Sequence, residues 1–261
     1  MKCFLSFGLL ALSLFSTLAL GEGHHEEDCL EVFHQEKLLR VLNAEGKDIV
    51  PQGWKADTVK QSCHIVIFDY QGKIYSFNSK GDRLIPKDWK ADYFEVARDM
   101  IAFTLGDFIY AFNEEGKRIV PKDWKADNFV LSRGILAFKR GDYIYGFNSS
   151  GERITPKDWK ADDYEVSGRI LAFKRGDYIY AFNREGERLT PKDWKADVFQ
   201  VSRRIVAFTR GDYVYAFNEA GKRLIPQDWK GKELKVRGNR VSFVWQSKLY
   251  VIDADGKKIF P

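Results

Sequence analysis

The chain has 261 residues, enough for one large domain or two small ones. A hydrophobic content of 44% and an aromatic content of 15% belong to a folded globular protein and exclude a disordered one. The 42 basic and 37 acidic residues leave a net charge of +5 with no basic runs, so the stripe that marks a nucleic-acid binder is missing.

Residues 1–21 read as a secretory signal. Lys2 supplies the positive start, Phe4 to Leu20 is largely apolar, and Ala19-Leu20-Gly21 has the small-x-small form that a signal peptidase cuts. An uncleaved anchor is the alternative, since the run is about long enough to span. Cleavage gives a mature protein that is secreted or periplasmic, and residues 22–261 form a single domain with no second run of spanning length. His24 and His25 beside Glu26, Glu27 and Asp28 read as a solvated terminus rather than a metal site. Cys29 and Cys63 are then the two mature cysteines. In an oxidising compartment they are candidates for a disulfide between the first two repeats, with two buried thiols as the alternative.

From residue 29 a 35-residue period takes over, with repeats near 29–51, 57–86, 92–121, 127–156, 162–191, 197–226 and 232–261. Trp54, Trp89, Trp124, Trp159, Trp194 and Trp229 are spaced by that period; the middle four stand in the stretch Pro-Lys-Asp-Trp-Lys-Ala-Asp, and the outer two in its variants Pro-Gln-Gly-Trp-Lys-Ala-Asp and Pro-Gln-Asp-Trp-Lys-Gly-Lys. Residues 127–161 show one unit. Asn128 to Ser132 alternates as a first strand, and Ile135 to Phe138 is a continuous apolar run for a strand buried on both faces. Tyr143 to Phe147 is an aromatic third strand, and Arg153 to Thr155 is a short outer strand stopped by Pro156. The turns between them are too short for parallel crossovers. Four-stranded antiparallel meanders repeated around an axis are a β-propeller. The expected fold is therefore all-β, a seven-bladed β-propeller of 35-residue four-stranded antiparallel blades. The first blade lacks a clear inner strand, and six blades with a dangling end is the alternative.

Gly141-Asp-Tyr-Ile-Tyr-Gly-Phe-Asn-Ser-Ser-Gly-Glu-Arg-Ile resembles the blade of PQQ-like propellers. The phrase Gly-x-x-x-x-Pro-x-x-Trp is similar to the WG-type repeat of bacterial proteins. The resemblance covers about 230 residues and implies a scaffold of the kind that binds partner proteins in the periplasm.

Each Trp has two readings: a wedge between adjacent blades, or a sugar platform flanked by Lys and by Asp88, Asp123, Asp158, Asp193 or Asp228. Arg-Gly-Asp occurs at 140–142, 175–177 and 210–212, a hairpin turn with a solvated arginine by one reading and an adhesion motif by the other. No triad, phosphate loop or metal-ligand spacing stands out, so the sequence predicts no catalytic residue, no metal and no cofactor. The expected partner is a protein, or else a glycan, bound by a monomer that takes no nucleic acid.

Overall fold

The computed structural model describes residues 29–86, 89–126, 128–225 and 229–260. The signal reading of 1–21 and the His24–Asp28 cluster lie outside them. The described residues form seven antiparallel sheets in chain order. The first holds β1 (Glu31–Gln35) and β2 (Leu38–Leu42). The second holds β3 (Thr58–Gln61), β4 (Ile65–Tyr70) and β5 (Lys73–Asn78); the third, β6 (Tyr93–Ala97), β7 (Met100–Leu105) and β8 (Phe108–Asn113). The fourth holds β9 (Phe129–Ser132), β10 (Ile135–Arg140) and β11 (Tyr143–Asn148); the fifth, β12 (Asp163–Ser167), β13 (Ile170–Arg175) and β14 (Tyr178–Asn183). The sixth holds β15 (Phe199–Ser202), β16 (Ile205–Arg210) and β17 (Tyr213–Asn218). The last holds β18 (Lys232–Arg237), β19 (Arg240–Trp245), β20 (Lys248–Asp253) and β21 (Lys258–Phe260). No helix among the described residues is long and apolar enough to cross a membrane.

Four strands per blade is corrected to three for the interior sheets. Their outer strand is split. Arg153 pairs as an isolated bridge with Phe147, the chain swings out through Pro156, and Lys160 returns to bridge with Tyr143 at the other end of β11. The same two bridges recur on β8, β14 and β17. Proline has no N–H to continue a ladder, so the edge breaks there. The returning link still covers the edge, because Ile144 N–H donates to Trp159 O at 3.0 Å and Ala161 N–H to Asp142 O at 2.9 Å. Among the described residues only the last sheet completes a fourth strand, and the first has two.

Each sheet presents two unlike faces. In the fourth, Leu136, Phe138, Tyr145 and Phe147 face the third sheet, where they meet Met100, Ala102, Ile109 and Ala111. Its other face, Ile135, Ala137 and Ile144, packs on Leu171 and Phe173 of the fifth. Six such cores join consecutive sheets. The phenylalanine column from Phe68 to Phe243 is fully buried.

A polar clamp repeats beside each core. The side-chain oxygen of Asn148 accepts from the N–H groups of Ser150 and Glu152, which shapes the turn, and Gly151 completes it at φ 82°. Its amide nitrogen then donates to Arg184 O in the next sheet. Asn43, Asn78, Asn183 and Asn218 do the same toward Ser79, Glu114, Glu219 and Ala254, at 2.9–3.3 Å. In the last sheet the column holds Asp253, which still accepts from Asp255 and Lys257 but has no donor to offer a following sheet.

The two end faces are open. Phe33 of the first sheet is 51% exposed where its counterparts are fully buried. Leu249, Ile259 and Phe260 of the last sheet are 46%, 44% and 53% exposed, at positions buried in the interior sheets. The Cys29–Cys63 disulfide forms as expected and ties the start of the first sheet to the second, beside a Leu30 N–H to Cys63 O hydrogen bond of 2.9 Å. Closing a loop of this length stabilises by roughly 3–4 kcal/mol on the chain-entropy model.

Asn148→Asp keeps the turn and removes the clamp, so urea denaturation should show a loss of about 2 kcal/mol. Asp253→Asn should leave stability unchanged. A gain from Asp253→Asn matching the Asn148→Asp loss would mean that a sheet follows the last one.

Candidate functional site

The six tryptophans are all half-buried. The backbone of Trp124 runs along the edge of the third sheet, with Ile109 N–H donating to its carbonyl, while its indole reaches forward into the fourth. There it meets Tyr145 edge-on at 4.7 Å and Phe138 at 6.2 Å. The Trp–Tyr distance is 4.5–5.0 Å in all six joints. Each such pair adds about 0.5–1.5 kcal/mol beyond the area it buries. An arginine from the split outer strand covers the tyrosine: Arg83, Arg118, Arg153, Arg188 and Arg223 lie 4.6–5.1 Å from the rings of Tyr75, Tyr110, Tyr145, Tyr180 and Tyr215. Arg153 and Arg188 also donate to Pro156 O and Pro191 O at 3.0 Å, fixing the outward swing of the link.

The aspartates of the link have a backbone role. Asp123, Asp158 and Asp193 sit at φ 63°, 59° and 57°, the left-handed region, and the first link has Gly53 there at φ 79°. Asp tolerates this conformation far better than branched residues do. Asp88 and Asp228 lie outside the described residues. The lysine after Trp is also engaged in three of the links: Lys125, Lys160 and Lys195 pair with Asp107, Asp142 and Asp177 at 2.9–3.0 Å. Hydrogen bonds from these lysines hold the three carboxyls below their ordinary range. Asp142 and Asp177 are the aspartates of two Arg-Gly-Asp triplets, whose Arg140 and Arg175 lie over Trp124 and Trp159 at 6.0 and 5.6 Å. The triplet is thus a hairpin turn that fastens the link to its sheet. At the three links with a described Asp the candidate sugar residues are therefore brought together at the joints, but Lys125, Lys160 and Lys195 are occupied and the indoles of Trp124 and Trp159 are covered by arginine.

Repetition stops at the edge formed by the first strands. Successive first strands pack against one another, so this is where the sheets converge. One column there reads Thr58, Tyr93, Asn128, Asp163, Val198, Glu233 and the next reads Lys60, Glu95, Val130, Glu165, Gln200, Lys235. Part of this edge is stapled across sheets. Lys60 donates to Glu95 at 2.6 Å and to Phe94 O at 2.9 Å; Val201 N–H donates to Glu165 at 2.7 Å and Val236 N–H to Gln200 at 2.9 Å. The Tyr93 hydroxyl donates to Glu95, and that bond, with burial, pushes the phenol up to about 12. Burial pushes the Glu165 carboxyl up despite the Val201 N–H. Tyr93, Val130 and Val198 are exposed among these polar groups. Period-seeking missed the edge because it reports what repeats; the signal available in the sequence was the mismatch within these two columns.

Asp158→Gly should leave stability within about 0.5 kcal/mol of the parent, while Asp158→Val should cost about 1–2 kcal/mol in urea denaturation, since a branched residue resists positive φ. Because the folded pKa of Glu165 is raised, its contribution is present at low pH and is lost as pH climbs through the folded value. Glu165→Gln keeps the acceptor for Val201 N–H, as Gln200 does for Val236. It should raise the melting temperature at pH 7.5 and flatten the decline seen between acid and neutral pH.

Residues 26–259 match the family model described as a 10-bladed beta propeller domain. No curated protein matches the chain. Among solved structures, Hsv2 from Kluyveromyces lactis is 13% identical, with 87% of this chain and 90% of that chain covered at a TM-score of 0.40. A eukaryotic initiation factor is 11% identical, with 90% and 74% covered at 0.44. Prp20p from Saccharomyces cerevisiae is 8% identical, with 87% and 81% covered at 0.39.

Proposed function

The chain belongs to the 10-bladed beta propeller domain family, and we propose that it is an exported, non-catalytic binding scaffold for a protein partner. The supporting observation is where variety lies. The links, turns and joints repeat from sheet to sheet because the stacking needs them. The first-strand edge does not repeat, and it sets exposed Tyr93, Val130 and Val198 among blade-specific charges and amides. A partner protein is recognised by such a unique mosaic of apolar anchors and polar rim. The blades are too alike elsewhere to offer the single symmetry-breaking site that catalysis uses.

The seven sheets are read as seven blades of an open array rather than a closed seven-bladed ring. Exposed Phe33 at one end and Asp253 at the other support this, as does a family plan of ten blades. The second reading is a multivalent lectin, favoured by six half-buried tryptophans in equivalent settings. Weak sites repeated in this way gain by avidity. The PQQ-like and WG-type resemblances rest on short motifs and add only the scaffold expectation.

Two measurements separate the readings. A scaffold captures one protein at a fixed stoichiometry from its native surroundings, and Tyr93→Ala with Val198→Ser abolishes the capture while a glycan array stays silent. Glycan binding that quenches tryptophan emission and survives those two substitutions would establish the lectin instead.

A further inference from the structure

The last sheet carries a charge that the rest of the chain does not. Residues 229–260 hold eight lysines and arginines against three carboxylates, a net +5 that equals the formal charge of the whole 261-residue chain. Three of these cations project on the face turned away from the sixth sheet. Lys235 lies opposite Ser242 in the ladder, and Arg237 lies directly opposite Arg240, whose other neighbour is Asp253. All three cations are exposed, and none makes an ion pair among the described residues. Like charges directly opposite one another destabilise a sheet. The other half of this face is apolar, with Leu249, Ile259 and Phe260 exposed.

These residues replace the ones that stacking uses. The position of Arg240 is Ile65, Met100, Ile135, Ile170 and Ile205 in the interior sheets, all fully buried. The position of Arg237 is Ser62 and Ser167 in two of them, and those hydroxyls bond the backbone of the next sheet at Arg98 O and Arg203 N. With Asp253 lacking the clamp donor, the face is without the contacts by which the interior sheets stack. Nor is it simply a solubilising end cap, as repeat arrays require. The first sheet shows what that looks like: Arg40 and Asp48 neutralise each other through two hydrogen bonds of 2.9 and 3.2 Å. The last sheet leaves its cations uncompensated beside large exposed apolar groups.

We propose that the outer face of the last sheet docks an acidic polypeptide segment, with carboxylates over Lys235, Arg237 and Arg240 and aliphatic side chains over Leu249, Ile259 and Phe260. A nucleic acid is the poorer fit, since three cations on half a sheet give no continuous phosphate track and no row of stacking rings. This surface meets the first-strand edge at Lys235, while Arg240, Leu249, Ile259 and Phe260 lie on the later strands β19 to β21, away from that edge.

The test uses the full mature chain and a fluorescein-labelled peptide that repeats Glu-Leu-Glu-Ser three times, read by anisotropy. Binding should weaken as salt rises to about 300 mM. It should fall roughly tenfold or more in Arg237→Gln/Arg240→Gln, and measurably in Leu249→Ser/Ile259→Ser. Lys122→Gln/Lys157→Gln, which removes the same charge from two links, and Tyr93→Ala on the other edge should bind as the parent does. Circular dichroism melts of each variant confirm that the sheets stay folded. Equal weakening by the two charge-removing pairs, no binding to the peptide, or tighter binding to a uridine oligonucleotide or to phosphatidylserine vesicles would each overturn the proposal.

Discussion

The structure depends on one contact, the seating of the aromatic face of each sheet on the aliphatic face of the sheet before it. A single repeat, apolar on both faces of its sheet, cannot bury those faces alone. Its stability comes from neighbours, so every residue that shapes the joint recurs at the same step. The Ile and Ala positions stay flat and small enough for Phe, Tyr and Trp to seat against them, as Ala102, Ile109 and Ala111 do against Phe138 and Tyr145. The tryptophan extends the joint across the chain's own boundary, since its backbone is bonded to one sheet and its ring lies in the next. Removing one link therefore loosens two sheets.

A joint of this kind consumes its residues. The link aspartate is spent on a left-handed turn, the link lysine on an ion pair with its hairpin, the outer-strand arginine on a tyrosine face, and the turn asparagine on a carbonyl of the neighbouring sheet. What repeats is thus largely accounted for by stacking, and specificity must reside in what does not repeat. That reasoning moves attention from the tryptophan stretch to the first-strand edge. It also explains why a sequence that announces its architecture so plainly says little about its ligand.

Much of the fold was legible because burial on both faces leaves a direct signature: Ile135 to Phe138 reads as an apolar run and is fully buried. The cysteine pair was legible from its spacing of nearly one repeat, once an oxidising compartment was assumed. The outer strand was misjudged because three alternating residues before a proline look like a strand. Whether they pair along their length depends on where the chain returns, and the return through Lys160 is a tertiary fact. Gly53 in the aspartate column was a local clue to positive φ that a binding reading of the motif passed over. The concentration of charge in the last repeat was hidden by its spacing, since alternate residues on several strands make no run in sequence yet share one face of a sheet.

An open array of repeats needs two ends that differ from its middle, and they need not be alike. At the first end the tyrosine and arginine of the joint give way to Arg40 and Asp48, which satisfy each other, and a disulfide holds the thin two-stranded sheet in place. At that end the opposed charges of Arg40 and Asp48 cancel. At the last end a complete four-stranded sheet carries substitutions at the stacking positions, and none of Lys235, Arg237 and Arg240 forms an ion pair among the described residues. Asp253 keeps the half of the asparagine's chemistry that folds the turn and drops the half that would reach a neighbour. A residue altered in that selective way points to a position freed from stacking while still required for folding, which is the condition under which a surface can be given over to another partner.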